Sequence, residues 1–134
     1  MAELVHVLSI EAPIERVFKV LHSQGNLWWT EDMTGDPEEG GTLDFRWPTD
    51  QGYRHRMKVD KLIPNHRLEW FCLDHDPEPE WSGTKLIFDT WEENNKTRLR
   101  LTHIWREETD YMAGCNYFWA FTLCNIKKVS EEAA

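Results

Sequence analysis

The sequence predicts an α+β protein in which a curved antiparallel sheet of about six strands wraps around a long C-terminal helix. Three observations carry this. The hydrophobic period is two through most of residues 42–105, and it becomes helical from Thr109 to the end. The connections between successive strands are short and rich in Gly, Pro and Asn, which makes neighbouring strands antiparallel. An antiparallel sheet with one apolar face needs a cover, and the last helix is the only element long enough to supply it.

The elements follow in order. Leu4 to Ile10 is a short strand, with Val5 and Val7 on one face and Leu4, His6, Leu8 and Ile10 on the other, both expected to be covered. Pro13 opens a helix, since its fixed φ suits a first helical position. Ile14, Val17, Phe18 and Leu21 form its buried stripe, and Gly25-Asn26 break it. Leu27-Trp28-Trp29 make a second short helical turn. Thr30 to Gly41 reads as a polar, acidic loop.

Strand periodicity begins after Gly41. Leu43, Phe45 and Trp47 share a face, and Pro48 to Gly52 turns the chain. Tyr53, His55, Met57 and Val59 then oppose Arg54, Arg56, Lys58 and Asp60. Leu68, Trp70 and Cys72 are in phase on the next strand, and Asp74 to Glu80 reads as a solvated acidic loop. Leu86 and Phe88, then Leu99, Leu101 and His103, occupy two strands joined by a hairpin at Glu92 to Lys96. In the last helix Tyr111, Cys115, Phe118, Trp119, Thr122, Leu123, Ile126 and Val129 recur at three- and four-residue spacing, with Tyr117, Phe121 and Cys124 widening the apolar face. Such breadth predicts deep burial.

Composition narrows the function. A chain of 134 residues suits one domain with a full core, spanning 1–134. Twenty-four acidic against fifteen basic side chains give a net charge of −9, which repels phosphate backbones and excludes a nucleic-acid partner. No apolar run approaches the ~20 residues of a membrane span. The N-terminal segment lacks a basic leader, so a cytoplasmic location is expected. The three cysteines lack metal-ligand or redox spacing and read as reduced thiols. There is no GxSxG, HExxH, phosphate-binding loop or dinucleotide fingerprint, so neither metal nor cofactor is expected. Eight tryptophans are the outlier, because so much apolar ring area is costly to leave in water.

Several short motifs add a family likeness. They are Ile10-Glu-Ala-Pro-Ile-Glu-Arg-Val-Phe, the pair Trp28-Trp29, Gly41 before a strand, and Arg67-Leu-Glu-Trp. Trp81-Ser-Gly-Thr-Lys-Leu-Ile-Phe-Asp, Thr97-Arg-Leu-Arg-Leu-Thr-His and the aromatic last helix complete the series. In this order and spacing the chain resembles the SRPBCC superfamily (START-like, helix-grip fold), nearest the branch of the heat-shock-protein-90 ATPase activator. The resemblance implies a cavity between sheet and last helix. Members of the superfamily bind lipids, hormones or polyketides, some cyclise polyketides, and one branch contributes a chaperone-binding domain. Many relatives carry glycine before the tryptophan of the last helix, where Phe118 stands here and is expected to make the cavity smaller.

The expected ligand-binding residues are Trp28, Trp29, Leu43, Phe45, Trp47, His55, Met57, Trp70, Phe88, Leu101, His103, Trp119 and Leu123. They wall a site for a small hydrophobic or aromatic molecule, since apolar walls with a few polar groups are what such sites use. Of the Trp28-Trp29 pair, Trp28 is expected deeper and Trp29 nearer the entrance. No catalytic residue is assigned. The alternatives are a protein-interaction module contacting a chaperone or other protein, and a polyketide cyclase-like enzyme with His55 or His103 as proton-transfer group.

Overall fold

The computed structural model describes residues 1–47, 52–76 and 79–132. The elements are β1 (Ala2–Ile10), α1 (Ile14–Ser23), α2 (Gly25–Trp28), β2 (Asp32–Gly35), β3 (Thr42–Arg46), β4 (Arg54–Ile63), β5 (Arg67–Asp76), a single 3-10 turn (Pro79–Trp81), β6 (Lys85–Glu93), β7 (Lys96–Trp105) and α3 (Asp110–Glu132). The seven strands form one sheet in the order β1-β7-β6-β5-β4-β3-β2, every pair antiparallel. The expected turn at Pro48 to Gly52 and the acidic loop at Asp74 to Glu80 lie partly outside the described residues.

The strand beyond expectation is β2, inside the stretch read as an acidic loop. It pairs Met33 with Phe45 and Thr34 with Asp44. With only one apolar residue in Asp-Met-Thr-Gly, it shows no period for a sequence reading to find. The hairpin between β6 and β7 closes on Asn94 and Asn95, both with positive φ, the left-handed geometry that matches strand twist and that Asn tolerates. Pro13 sits one position earlier than expected: its carbonyl accepts from the Arg16 and Val17 N–H groups, so it caps α1 and Ile14 is the first helical residue.

α3 lies against the concave face of the sheet with Met112, Cys115, Trp119, Thr122, Leu123, Ile126 and Ser130 inward. Its C-terminal half is pinned. Lys127 donates to the Ser9 carbonyl at 2.9 Å, and Glu131 accepts from the Glu11 N–H at 2.8 Å. The flanking edge expected to widen its buried face does not do so. Tyr117 is 84% and Phe121 72% exposed, because both lie about half a turn from Trp119 on the water side of the helix. β1 likewise has one open face, with Val5 and Val7 exposed and Leu4 and Leu8 packed against the core.

Two β-bulges in the β4–β5 pair decide which side chains reach the concave face. Asp60 has no Cα partner between Val59↔Trp70 and Lys61↔Glu69, and Leu73 has none between Arg56↔Asp74 and Met57↔Cys72. Each extra residue reverses the inward phase beyond it. On β4 the phase passes from Val59 to Leu62, leaving Ile63 exposed. On β5 it passes from Cys72 to His75. Asp74 turns outward, where Arg56 Nε meets its carboxylate at 2.8 Å.

Candidate functional site

The concave side of the sheet is part solid and part hollow. Beneath the C-terminal half of α3 it is filled by α2 and the indoles it carries. Gly25 permits this close approach, since a Cβ there would stand 2.7 Å from Phe45 Cε1 and 2.9 Å from Met33 Sδ. Trp28 donates its Nε1–H to the Val20 carbonyl at 3.0 Å. Its ring lies nearly parallel to Trp29 and to Trp70, with centroids 5.6 and 6.2 Å away. Trp28 is 2% exposed and Trp29 9%, the expected order.

Beneath the first turns of α3 a cleft of about 450 Å³ remains, partly open to solvent. Its lining comes from five places. Trp47 follows β3, Tyr53 and His55 lie at the start of β4, His75 comes from β5, and Trp81 from the 3-10 turn. Tyr111, Gly114, Cys115 and Phe118 of α3 close it from above. His55 and His75 are direct cross-strand partners, so their rings stack with centroids 3.9 Å apart. Trp47 meets the edge of His55 at 5.0 Å, Trp81 lies 4.4 Å from it, and Phe118 stands T-shaped to Trp81 at 6.1 Å. Phe118 therefore occupies the helix side of the space, where the sequence comparison placed it.

Of the thirteen residues expected to bind ligand, Trp47 and His55 line this cleft. Trp29 stands directly behind them, 5.5 Å from Trp47 and 5.1 Å from His55. Trp28, Leu43, Phe45, Met57, Trp70, Phe88, Leu101, Trp119 and Leu123 are instead packed into the one core cluster, and His103 is fully buried beside it. Being in phase put them on the concave face, but α2 occupies the volume they would have enclosed. Tyr53, His75, Trp81, Tyr111, Gly114, Cys115 and Phe118 are the lining residues not among the thirteen. Tyr53 was visible, in phase with His55. His75 was missed because Asp74 to Glu80 reads as an acidic loop, whereas β5 continues to Asp76 and the bulge at Leu73 turns His75 inward.

The two inward histidines proposed for proton transfer have different surroundings. Trp119 Nε1–H donates to His103 Nδ1 at 3.0 Å, which makes Nδ1 an acceptor and leaves the proton on Nε2. Nε2–H then donates to Thr84 Oγ1 at 2.9 Å, and the Thr84 hydroxyl donates to the Trp81 carbonyl at 2.6 Å. The chain of bonds fixes a neutral tautomer and ties helix, sheet and the 3-10 turn together. Burial holds the His103 pKa down to about 3. With both nitrogens engaged, His103 is a structural histidine.

His55 is 4% exposed, and neither ring nitrogen has a hydrogen-bond partner among the described residues. Burial, with the nearby His75 and His103 rings adding to it, lowers its pKa to about 2. It is a neutral imidazole with one donor and one acceptor unused. Cys72, behind the cleft, is pushed up to about 12 by burial and by the Asp74 carboxylate, so it is no nucleophile. Among the described residues no three His, Cys, Asp or Glu side chains are grouped to hold a metal ion, and no helix is long and apolar enough to cross a membrane.

A seven-stranded antiparallel sheet curved around a C-terminal helix, with short helices after the first strand and an aromatic cleft under that helix, defines the helix-grip class of the SRPBCC superfamily. Residues 11–131 match the family described as Activator of Hsp90 ATPase homolog 1-like protein, and the chain belongs to that family. It is similar to the Aha1 dimer from Colwellia psychrerythraea, known from a solution structure, at 34% identity over 98% of both chains with a TM-score of 0.83. Two more distant structures share the fold. Protein MLL2253 from Mesorhizobium loti is 15% identical over 99% of both chains, with a TM-score of 0.84. CalU16 from Micromonospora echinospora is 20% identical over 92% of this chain and 73% of its own, with a TM-score of 0.73. No curated protein matches the chain.

Proposed function

We propose that residues 1–134 act as one ligand-binding domain, which takes a small apolar or aromatic molecule in the cleft beneath α3 without making or breaking bonds. The observation that carries this reading is the lining. Seven of the nine lining residues are aromatic or imidazole rings, and the volume of about 450 Å³ is within the range of drug-sized sites. The non-catalytic reading is supported by His103, whose nitrogens are both committed to structural bonds, and by the low pKa that makes His55 a poor base. Native mass spectrometry of protein purified from its own host is expected to show one retained small molecule, lost when Phe118→Trp fills the cleft. Recovery of the bare chain, with no response of tryptophan fluorescence to any apolar or aromatic probe, overturns it.

A second reading rests on the water side of α3. Tyr117 and Phe121 are one helical turn apart, and both are largely exposed, an arrangement suited to a protein contact. The relative from Colwellia psychrerythraea is described as a dimer, and a second copy of this chain is the partner to test first. Sedimentation at increasing concentration should show a dimer that Tyr117→Ser with Phe121→Ser removes, whereas a monomer throughout rejects that partner. Activation of a heat-shock-protein-90 ATPase, suggested by the family description, is read separately as ATP turnover with and without the chain. No change in turnover rejects it.

A further inference from the structure

The described lining of the cleft is uncharged, and its polar groups are the His55 and His75 rings and the Tyr53 and Tyr111 hydroxyls. Of these His55 is informative, because both its nitrogens lack a partner among the described residues. Among the described residues that line it there is no Asp, Glu, Lys or Arg. A carboxylate entering it would leave water with no cation to meet it, in a chain already carrying a net charge of −9. An ammonium group would find aromatic faces but no counter-charge among the described lining residues, and it could only donate, leaving the His55 proton without an acceptor. A purely hydrocarbon ligand would leave both nitrogens of His55 buried and unsatisfied, which native structures avoid.

Resting on the ligand-binding reading above, we propose that His55 is the hydrogen-bonding anchor of the cleft, and that the ligand is an uncharged ring compound bearing a hydroxyl or ring N–H. Such a group can donate to one imidazole nitrogen or accept from the other. The ring it is attached to then lies against Trp47 and Trp81, which flank His55, with Phe118 on the helix side next to Trp81. The stacked His75 ring and the Trp29 ring behind hold the His55 plane fixed, so a ligand reaches its covered nitrogens by displacing cleft side chains rather than by reorienting the imidazole. His55 cannot adapt to an anion by taking up a proton, since burial keeps it neutral far below physiological pH.

A set of para-substituted toluenes tests this by isothermal titration calorimetry on the whole chain: p-xylene, p-cresol, p-toluate and p-tolyltrimethylammonium. p-Cresol should bind at least as tightly as p-xylene, although its hydroxyl must leave water. p-Toluate and the ammonium compound should each bind at least tenfold more weakly than p-cresol. His55→Phe should shift the ratio of p-cresol to p-xylene affinity at least tenfold toward p-xylene, the scale of one buried hydrogen bond. A second readout does not depend on that variant folding: the ring-nitrogen resonances of His55 should move on adding p-cresol and stay in place with p-xylene. If p-xylene binds while p-cresol is excluded, or if either charged compound binds best, the assignment of ligand class fails and the ligand-binding reading stands. If none of the four binds, both fail.

Discussion

Acidification should destabilise the fold well above the pH at which carboxylates protonate. His55 and His103 are buried as neutral rings, with pKa values lowered from 6.5 to about 2 and about 3. The unfolded chain takes up a proton at each of these positions below about pH 6.5, while the native chain does not. Their contribution is therefore complete above that pH and is lost as pH falls toward the folded values. At pH 5 each ring is about 1.5 units below its unfolded value, which costs about 2 kcal/mol per histidine at about 1.36 kcal/mol per unit. The two together remove about 4 kcal/mol, against a total stability of about 5–15 kcal/mol for a typical domain. The carboxylates whose pKa is lowered act in a separate, more acidic window. Asp44 is held down by the Arg54 hydrogen bond. For Glu69 burial pushes the other way and is outweighed by Lys85 and Arg67. Urea unfolding between pH 7.5 and 5 should give a free energy falling with a limiting slope of two protons, and His55→Phe should halve it. A flat profile over that interval, or a decline confined to pH below 4, refutes the assignment of buried neutral histidines.

Other perturbations test the packing. Gly25→Ala should lower stability by about 1–3 kcal/mol, read as a fall in Tm, because its Cβ would stand 2.7 Å from the buried Phe45 ring. Trp119→Phe removes the donor to His103 Nδ1 and leaves a buried acceptor alone, so it should cost about 1–3 kcal/mol in urea unfolding and change the His103 tautomer seen by NMR. Iodoacetamide at pH 8 should label exposed Cys124 in the native protein, while Cys72, pushed up to about 12, should react only after unfolding.

Much of the fold was legible because strand alternation and helical spacing are written in single residues. Tyr53, His55, Met57 and Val59 mark β4 without ambiguity, and the stripe from Cys115 to Ile126 marks α3. The chain signalled β2 poorly, since Met33 alone carries its register against Phe45. The candidate site was less legible, for two physical reasons. Phase places a side chain on a face but not at a position along it. Phe88, Leu101 and Trp70 share the concave face with His55, yet the Trp28-Trp29 pair fills the volume above them. A bulge is invisible in the hydrophobic pattern, so extrapolating Leu68, Trp70 and Cys72 points Asp74 inward and His75 outward, the reverse of what the ladder does. Trp81 reached the cleft through a 3-10 turn that follows an acidic, proline-containing segment, where no period exists to be read.

The ligand site itself is most directly tested by NMR shift mapping during titration with p-cresol. The changes should centre on Trp47, Tyr53, His55, His75, Trp81, Tyr111 and Phe118, with the deep stack of Trp28 and Trp70 little affected. Shifts confined to Tyr117 and Phe121 on the far side of α3, or no saturable shift at any residue, would contradict a binding site in the cleft.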